Sequence, residues 1–314
     1  MIKTLIQLFV TSSAPLAIFC LMALVMPRST FGQSAFVAYS AAGSDAASIA
    51  PVVDAFRTAL GPDNGNALGS QPSGRREISW DEGGYAANAT TFTSPMTAYN
   101  TAPLTRGLIF NTPVTGFEIS GQPAPKFGDI NISYPGTFTT FSPPRLFTPL
   151  GSTITDVLFF VPGTNTPATS NAFGAIFTDV DFPQGAYIEY FDIRGNSLGR
   201  AYVPPANNGL SFVGFVFDDK RIGRVRIASG NTPVSPTATD GAPVDVVVMD
   251  DFIYGEPVAP PASSPPPPPP SPAPNQIGPP TDKDQCKNGG WASLNTPRTF
   301  KNQGDCIQFV ETGK

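Results

Sequence analysis

Apolar residues recur along this chain with two different spacings. Over Ser48 to Leu60 the residues Ile49, Val52, Val53, Phe56 and Leu60 fall on one face of a helix. Ser48 stands where a cap belongs, and Pro51 is tolerated in the first turn. From about Arg106 onward the pattern changes to short runs rich in Val, Ile, Thr, Phe and Tyr, punctuated by Gly, Pro and Asn. These predict strands at Gly107–Phe110, Phe117–Ser120, Asp129–Ser133, Thr137–Phe141, Thr153–Val161, Phe173–Phe182, Ala186–Ile193, Leu198–Val203, Leu210–Phe217, Ile222–Ala228 and Val244–Tyr254. No strand alternates regularly with a helix, which excludes a parallel βαβ architecture. Asp192 to Asn196 reads as a hairpin turn, with Gly195 supplying the positive φ. Roughly ten strands in about 150 residues fit an antiparallel two-sheet β-sandwich, jelly-roll-like, over 106–258, with 33–105 as an N-terminal segment packed on it.

The two ends depart from this pattern. Residues 1–32 carry Lys3, an apolar stretch centred on Leu16 to Met26, and small residues near Gly32. They predict a secretory signal peptide cleaved near Gly32, and hence a secreted or cell-surface protein with no stable membrane span; an uncleaved anchor is the other reading. Residues 259–280 hold 12 prolines and no charge, which predicts an extended polyproline II spacer. Beyond it, 281–314 reads as two short helices, one capped by Thr281 or Asp282 and the other by Asn302, with Trp291 and Phe300 between them. Removal of the leader leaves Cys286 and Cys306, which in an oxidising compartment form one disulfide. A unit this small depends on such a cross-link.

Composition then narrows the chemistry. The chain has 314 residues and no histidine, which excludes Ser-His-Asp and Cys-His nucleophile systems and imidazole-ligated zinc. Leader cleavage removes Lys3 and Arg28 from 19 basic residues and none of the 24 acids, so the mature chain stays acidic. It lacks the basic stripe of a nucleic-acid partner.

Two stretches carry a resemblance. Asp284-Gln285-Cys286-Lys287-Asn288-Gly289-Gly290-Trp291, followed by Phe300-Lys301-Asn302-Gln303-Gly304-Asp305-Cys306, resembles a short C-terminal module found on otherwise unrelated exported bacterial proteins. Phe177-Thr178-Asp179-Val180-Asp181, Ile188-Glu189-Tyr190-Phe191-Asp192, Arg224-Val225-Arg226-Ile227 and Val248 to Pro257, with Gly74 to Asp81 upstream, resemble a group of uncharacterised exported bacterial proteins. That group looks like sandwich domains of the galactose-binding or carbohydrate-binding-module type. The resemblance implies a fold and an exported setting, and sandwiches host many functions.

Candidate chemistry rests on acids and one aromatic loop. Alternation along Phe173–Phe182 places Phe177, Asp179 and Asp181 on one face and Ile176, Thr178, Val180 and Phe182 on the other; Asp250 and Asp251 point to opposite faces of theirs. Arg224 and Arg226 share a face and are natural partners for such acids. A structural Ca²⁺ site at Asp179, Asp181 and Asp250 is the sharper reading, although no D-x-D-x-D-G loop supports it. Trp80, beside Asp81 and close to Tyr85, suits a sugar that stacks on an indole and hydrogen-bonds to carboxylates; more often a lone tryptophan simply packs in a core. Arg75 and Arg76 read as surface charge or a local ion pair. The expected function is non-enzymatic binding or adhesion through the sandwich, to glycan or cell-wall material. A structural envelope protein without small ligand and a hydrolase working through Asp179 and Asp181 are the alternatives.

Overall fold

A computed structural model describes residues 36–81, 88–96, 105–219, 221–260 and 279–314. The predicted leader and most of the proline spacer lie outside these residues. The chain divides into two units, Met1–Val258 and Ala259–Lys314.

The large unit is mainly β, with two antiparallel sheets of eight and five strands. In chain order the strands are β1 (Phe36–Gly43), β2 (Arg75–Ile78), β3 (Thr90–Thr93), β4 (Leu108–Asn111), β5 (Gly116–Ile119), β6 (Phe147–Leu150), β7 (Ile154–Phe159), β8 (Ala172–Val180), β9 (Tyr187–Phe191), β10 (Ser197–Tyr202), β11 (Ala206–Phe217), β12 (Arg224–Ala228) and β13 (Val248–Gly255). The larger sheet runs β1-β11-β8-β13-β6-β5-β3, with β2 also on β13; the smaller runs β10-β9-β12-β7-β4. Their inner faces meet in one core that includes Phe173, Phe177 and Phe252 from the first sheet and Val157, Ile188 and Val225 from the second. The hairpin between β9 and β10 turns at Gly195, φ 86°, as its sequence requires.

Helix α1 (Ala46–Leu60) begins two residues earlier than its apolar pattern suggests, because Asp45 caps it by accepting the Ser48 N–H at 2.9 Å. Ile49, Val53, Phe56 and Leu60 bury themselves on the outer face of the large sheet, against Ile176, Leu210, Phe212 and Ile253. Gly174 and Gly214, register partners on β8 and β11, make room for Phe56: a Cβ on either would come within about 3.1 Å of its ring. A second patch of that outer face is covered by Phe127, Tyr134, Phe138 and Leu146. This segment overturns the two strands expected at Asp129–Ser133 and Thr137–Phe141. Lys126 and Phe127 adopt positive φ, the Asn131 side chain accepts from Ser133 N–H, and Pro135-Gly136 sits in the short helix α2 (Tyr134–Thr137). Local side-chain-to-backbone bonding has outcompeted extension here.

In the small unit, Asp282 and Gln285 form a capping box over a 3₁₀ turn at Lys283–Cys286, and Asn302 caps α3 (Gln303–Thr312). Cys286 and Cys306 are disulfide-bonded in a core completed by Leu294 and Phe300.

Candidate functional site

The tryptophan loop does not present a sugar platform. Trp80 leaves β2 with φ 68° and turns inward, where it is wholly buried. Its ring stacks on Phe147 at 4.0 Å, meets Phe252 edge-on, and donates its indole N–H to the Asp250 carbonyl at 2.7 Å. The expectation of an exposed stacking ring is corrected: an indole among phenylalanines gains more from burial than a loop could return. Asp81 accepts the Arg145 N–H at 3.0 Å, and partial burial pushes its carboxyl up to about 6. Tyr85 lies outside the described residues.

The strand acids divide into two groups. Asp250 does not join Asp179 and Asp181. Its carboxylate accepts from Phe141 N–H at 2.6 Å and from the Ser142 hydroxyl at 2.9 Å, and Asp251 shares that hydroxyl. An extra residue on β13 between Met249 and Phe252, which pair with Phe177 and Ala175, breaks the expected alternation and lets both acids reach Ser142. Burial, followed by the neighbouring Asp251 charge, holds Asp250 well above the usual carboxylate range; Arg57 partners Asp251 at 3.5 Å.

Asp179 and Asp181 are joined instead by Asp240, from the connection between β12 and β13, with carboxylate oxygens within 4.8 Å of one another. Asp179 itself has φ 69°, at a bulge where Thr178 and Val180 face Leu210 and Ala206. That twist defeats simple alternation, so Phe177 and Val180 both reach the inter-sheet core. Asp179 accepts the Asn208 N–H at 2.7 Å, Asp240 accepts Val246 N–H at 3.0 Å, and Asp245 accepts Asp181 N–H at 3.2 Å. Burial, then the nearby carboxylates, pushes Asp179 up to about 7; burial is also the main cause that lifts Asp245 to about 6. Asp240 and Asp245 carry no local sequence signal for such a cluster, since they stand about 60 residues from Asp179 in a loop without a ligand-like spacing.

Arg224 and Arg226 pair with none of these acids. They lie on the outer face of the five-stranded sheet, where register aligns Arg200, Glu189, Arg226, Asp156 and Asn111 in one row across all five strands. Charges alternate along the row. Arg200 meets Glu189 at 2.7 Å; Arg226 holds Asp156 through two hydrogen bonds of 2.9 and 2.8 Å; Arg224 adds a third at 3.0 Å. On one side of the row Tyr202 faces Tyr187, and the Arg200 guanidinium lies 4.1 Å from the Tyr187 ring. On the other, Arg224 stacks 3.8 Å over Phe191. An open depression of about 370 Å³ adjoins Asn111, Thr112, Pro113, Ile154, Asp156 and Arg226. These residues carry a visible sequence signal, the period-two exposure of Tyr187, Glu189 and Phe191 and of Arg224 and Arg226, but only register shows that they form one surface.

Arg75 pairs with Glu77, whereas Arg76 is wholly buried against Glu256 at 2.8 Å, so the basic pair is half structural core. Among the described residues no helix is long and apolar enough to cross a membrane. No family model matches this chain, and neither a curated protein nor a solved structure does.

Proposed function

We propose that the large unit is a non-enzymatic recognition module of an exported protein, and that it takes glycan or cell-surface material on the outer face of its five-stranded sheet. The observation that carries this reading is the alternating row Arg200, Glu189, Arg226, Asp156 and Asn111, flanked by Tyr187, Tyr202 and Phe191. The outer face of the larger sheet is occupied by α1 and by the 127–146 segment, so the smaller sheet has the polar, aromatic face. Sugar hydroxyls donate to carboxylates and accept from guanidinium groups, while their C–H faces pack on tyrosine rings. Ion pairs already formed between neighbouring strands hold those groups in place before a ligand arrives, which reduces the ordering cost of binding.

Asp179 and Asp181 are set among further carboxylates and backbone donors, an environment that favours a structural task over a glycosidase pair. The disulfide of the small unit and the acidic balance support an exported protein without a nucleic-acid partner, and the small unit would serve as a second point of attachment. A glycan array probed with the full protein tests the proposal. Arg226→Ala and Tyr202→Ala should each weaken a captured glycan by roughly tenfold, the loss of about 1.4 kcal/mol. Absence of capture from every glycan and cell-wall preparation would overturn it, as would capture that both variants retain.

A further inference from the structure

We infer that Asp179, Asp181 and Asp240, with Asp245 beside them, form a binding site for one divalent cation with the hard, oxygen-seeking chemistry of calcium. This inference is independent of the sheet-face proposal.

An acidic cluster alone would not carry it, because carboxylates often gather at surfaces with water between them. Here Asp179 and Asp245 are both 0% exposed, and Asp179 Oδ2, Asp181 Oδ1 and Asp245 Oδ2 are buried with no hydrogen-bond donor. Two of these orphaned acceptors, on Asp179 and Asp181, belong to residues of the same carboxylate cluster, and the third is on the adjoining Asp245. A buried acceptor left unsatisfied costs about 1–3 kcal/mol, and more when charged. Among the described residues no lysine or arginine forms an ion pair with any of the four acids, and the charges acting most strongly on Asp179, Asp181 and Asp245 are the other carboxylates of the group.

The donor set matches a hard cation. It contains only oxygen, and the ligand atoms of Asp179, Asp181 and Asp240 lie within 4.8 Å of one another. Oxygens on opposite sides of a Ca²⁺ ion, at about 2.4 Å each, are separated by about that distance. The remaining oxygens already accept from Asn208, Val246 and Asp181 N–H groups, which fixes the orientation of the carboxylates. Asp179 comes from the end of β8, Asn208 from the bulged start of β11, and Asp240 and Asp245 from the connection into β13. A cation there would fasten three separate stretches of backbone at one end of the larger sheet.

The test uses the full chain, stripped with EDTA, desalted, and titrated with CaCl₂ in a calorimeter. One Ca²⁺ should bind per chain, and saturation at about a hundredfold over Kd should raise Tm by roughly 5–10 °C. Asp181→Asn and Asp240→Asn, both at partly exposed positions, should each weaken Ca²⁺ binding by tenfold or more. Their metal-free Tm should equal or exceed that of the parent, because a repelling charge is gone. Asp179→Asn tests the buried ligand, and the Asp181→Asn and Asp240→Asn variants decide the matter if it fails to fold. No binding heat and no Tm shift with about 10 mM Ca²⁺ would overturn the inference, as would stoichiometric binding retained by the Asp181→Asn/Asp240→Asn double variant.

Discussion

The strongest single stability test lies at Arg76. Its guanidinium donates Nε and Nη2 to the two oxygens of Glu256 at 2.8 Å each, and it also donates to the carbonyls of Gly65, Thr105 and Gly69 at 2.9, 3.0 and 3.2 Å. Glu256 in turn accepts from the Asn64 side chain at 2.8 Å and Gln71 N–H at 3.0 Å, and both members of the pair are wholly buried. Arg76→Met keeps most of the volume and removes every donor, which strands a buried carboxylate. Removal of one partner from a buried pair costs about 3–5 kcal/mol. For a domain of this size each kcal/mol lowers Tm by about 2–4 °C, so a fall of roughly 6–20 °C is expected. Urea unfolding at neutral pH, followed by circular dichroism, measures the loss directly. The double variant Arg76→Met/Glu256→Leu should cost at least about 2 kcal/mol less than the two single changes together, since it leaves no unpaired charge. A loss below about 1 kcal/mol for Arg76→Met, or strict additivity, would show that the pair does not carry the joint between β2 and the end of β13.

Other outcomes follow from the same packing. Glu118 is 5% exposed, and burial, then the neighbouring Asp129, raises its carboxyl from an ordinary 4.5 to about 7. The folded state therefore holds a proton that the unfolded chain has released between these values, so stability falls as pH rises from 4.5 to 7, by up to about 3 kcal/mol. Glu118→Gln should flatten that slope and stabilise the protein at pH 8 relative to the parent, as read by Tm across pH. Trp80→Ala should cost about 3–5 kcal/mol in urea unfolding and leave any glycan capture unchanged in a correctly folded sample. Reduction of Cys286–Cys306 removes a cross-link over 20 residues, worth roughly 3 kcal/mol, so limited proteolysis should trim 281–314 while the sandwich resists.

How much of this was legible depended on whether a residue answers to its neighbours in sequence or to distant ones. The apolar face of α1 and the turn at Gly195 follow from local spacing, the cysteine pairing follows from there being only two cysteines beyond residue 32, and each stands in the fold. Strands β8 and β13 were legible as strands, but every residue in them is buried, because α1 and the 127–146 segment cover the face that alternation would have assigned to water. Period two then carries no information about which side a carboxylate takes, and the bulges at Asp179 and after Met249 shift it again. Edge strand β1 leaves little signal in the sequence because its Phe36-Val37-Ala38-Tyr39 pattern faces solvent along much of its length and gains its order from β11. Asp240 and the row across the small sheet needed register and loop closure, which no window of sequence contains.

The order of pairing has a consequence for when this protein can fold. The first strand waits for residues 206–217, the second for residues 252–255, and Arg76 for Glu256. The second strand cannot close until the last strand is available, and a chain dominated by such long-range pairings folds slowly. A nascent chain would therefore hold β1 and β2 without their sheet partners until most of the large unit had been synthesised.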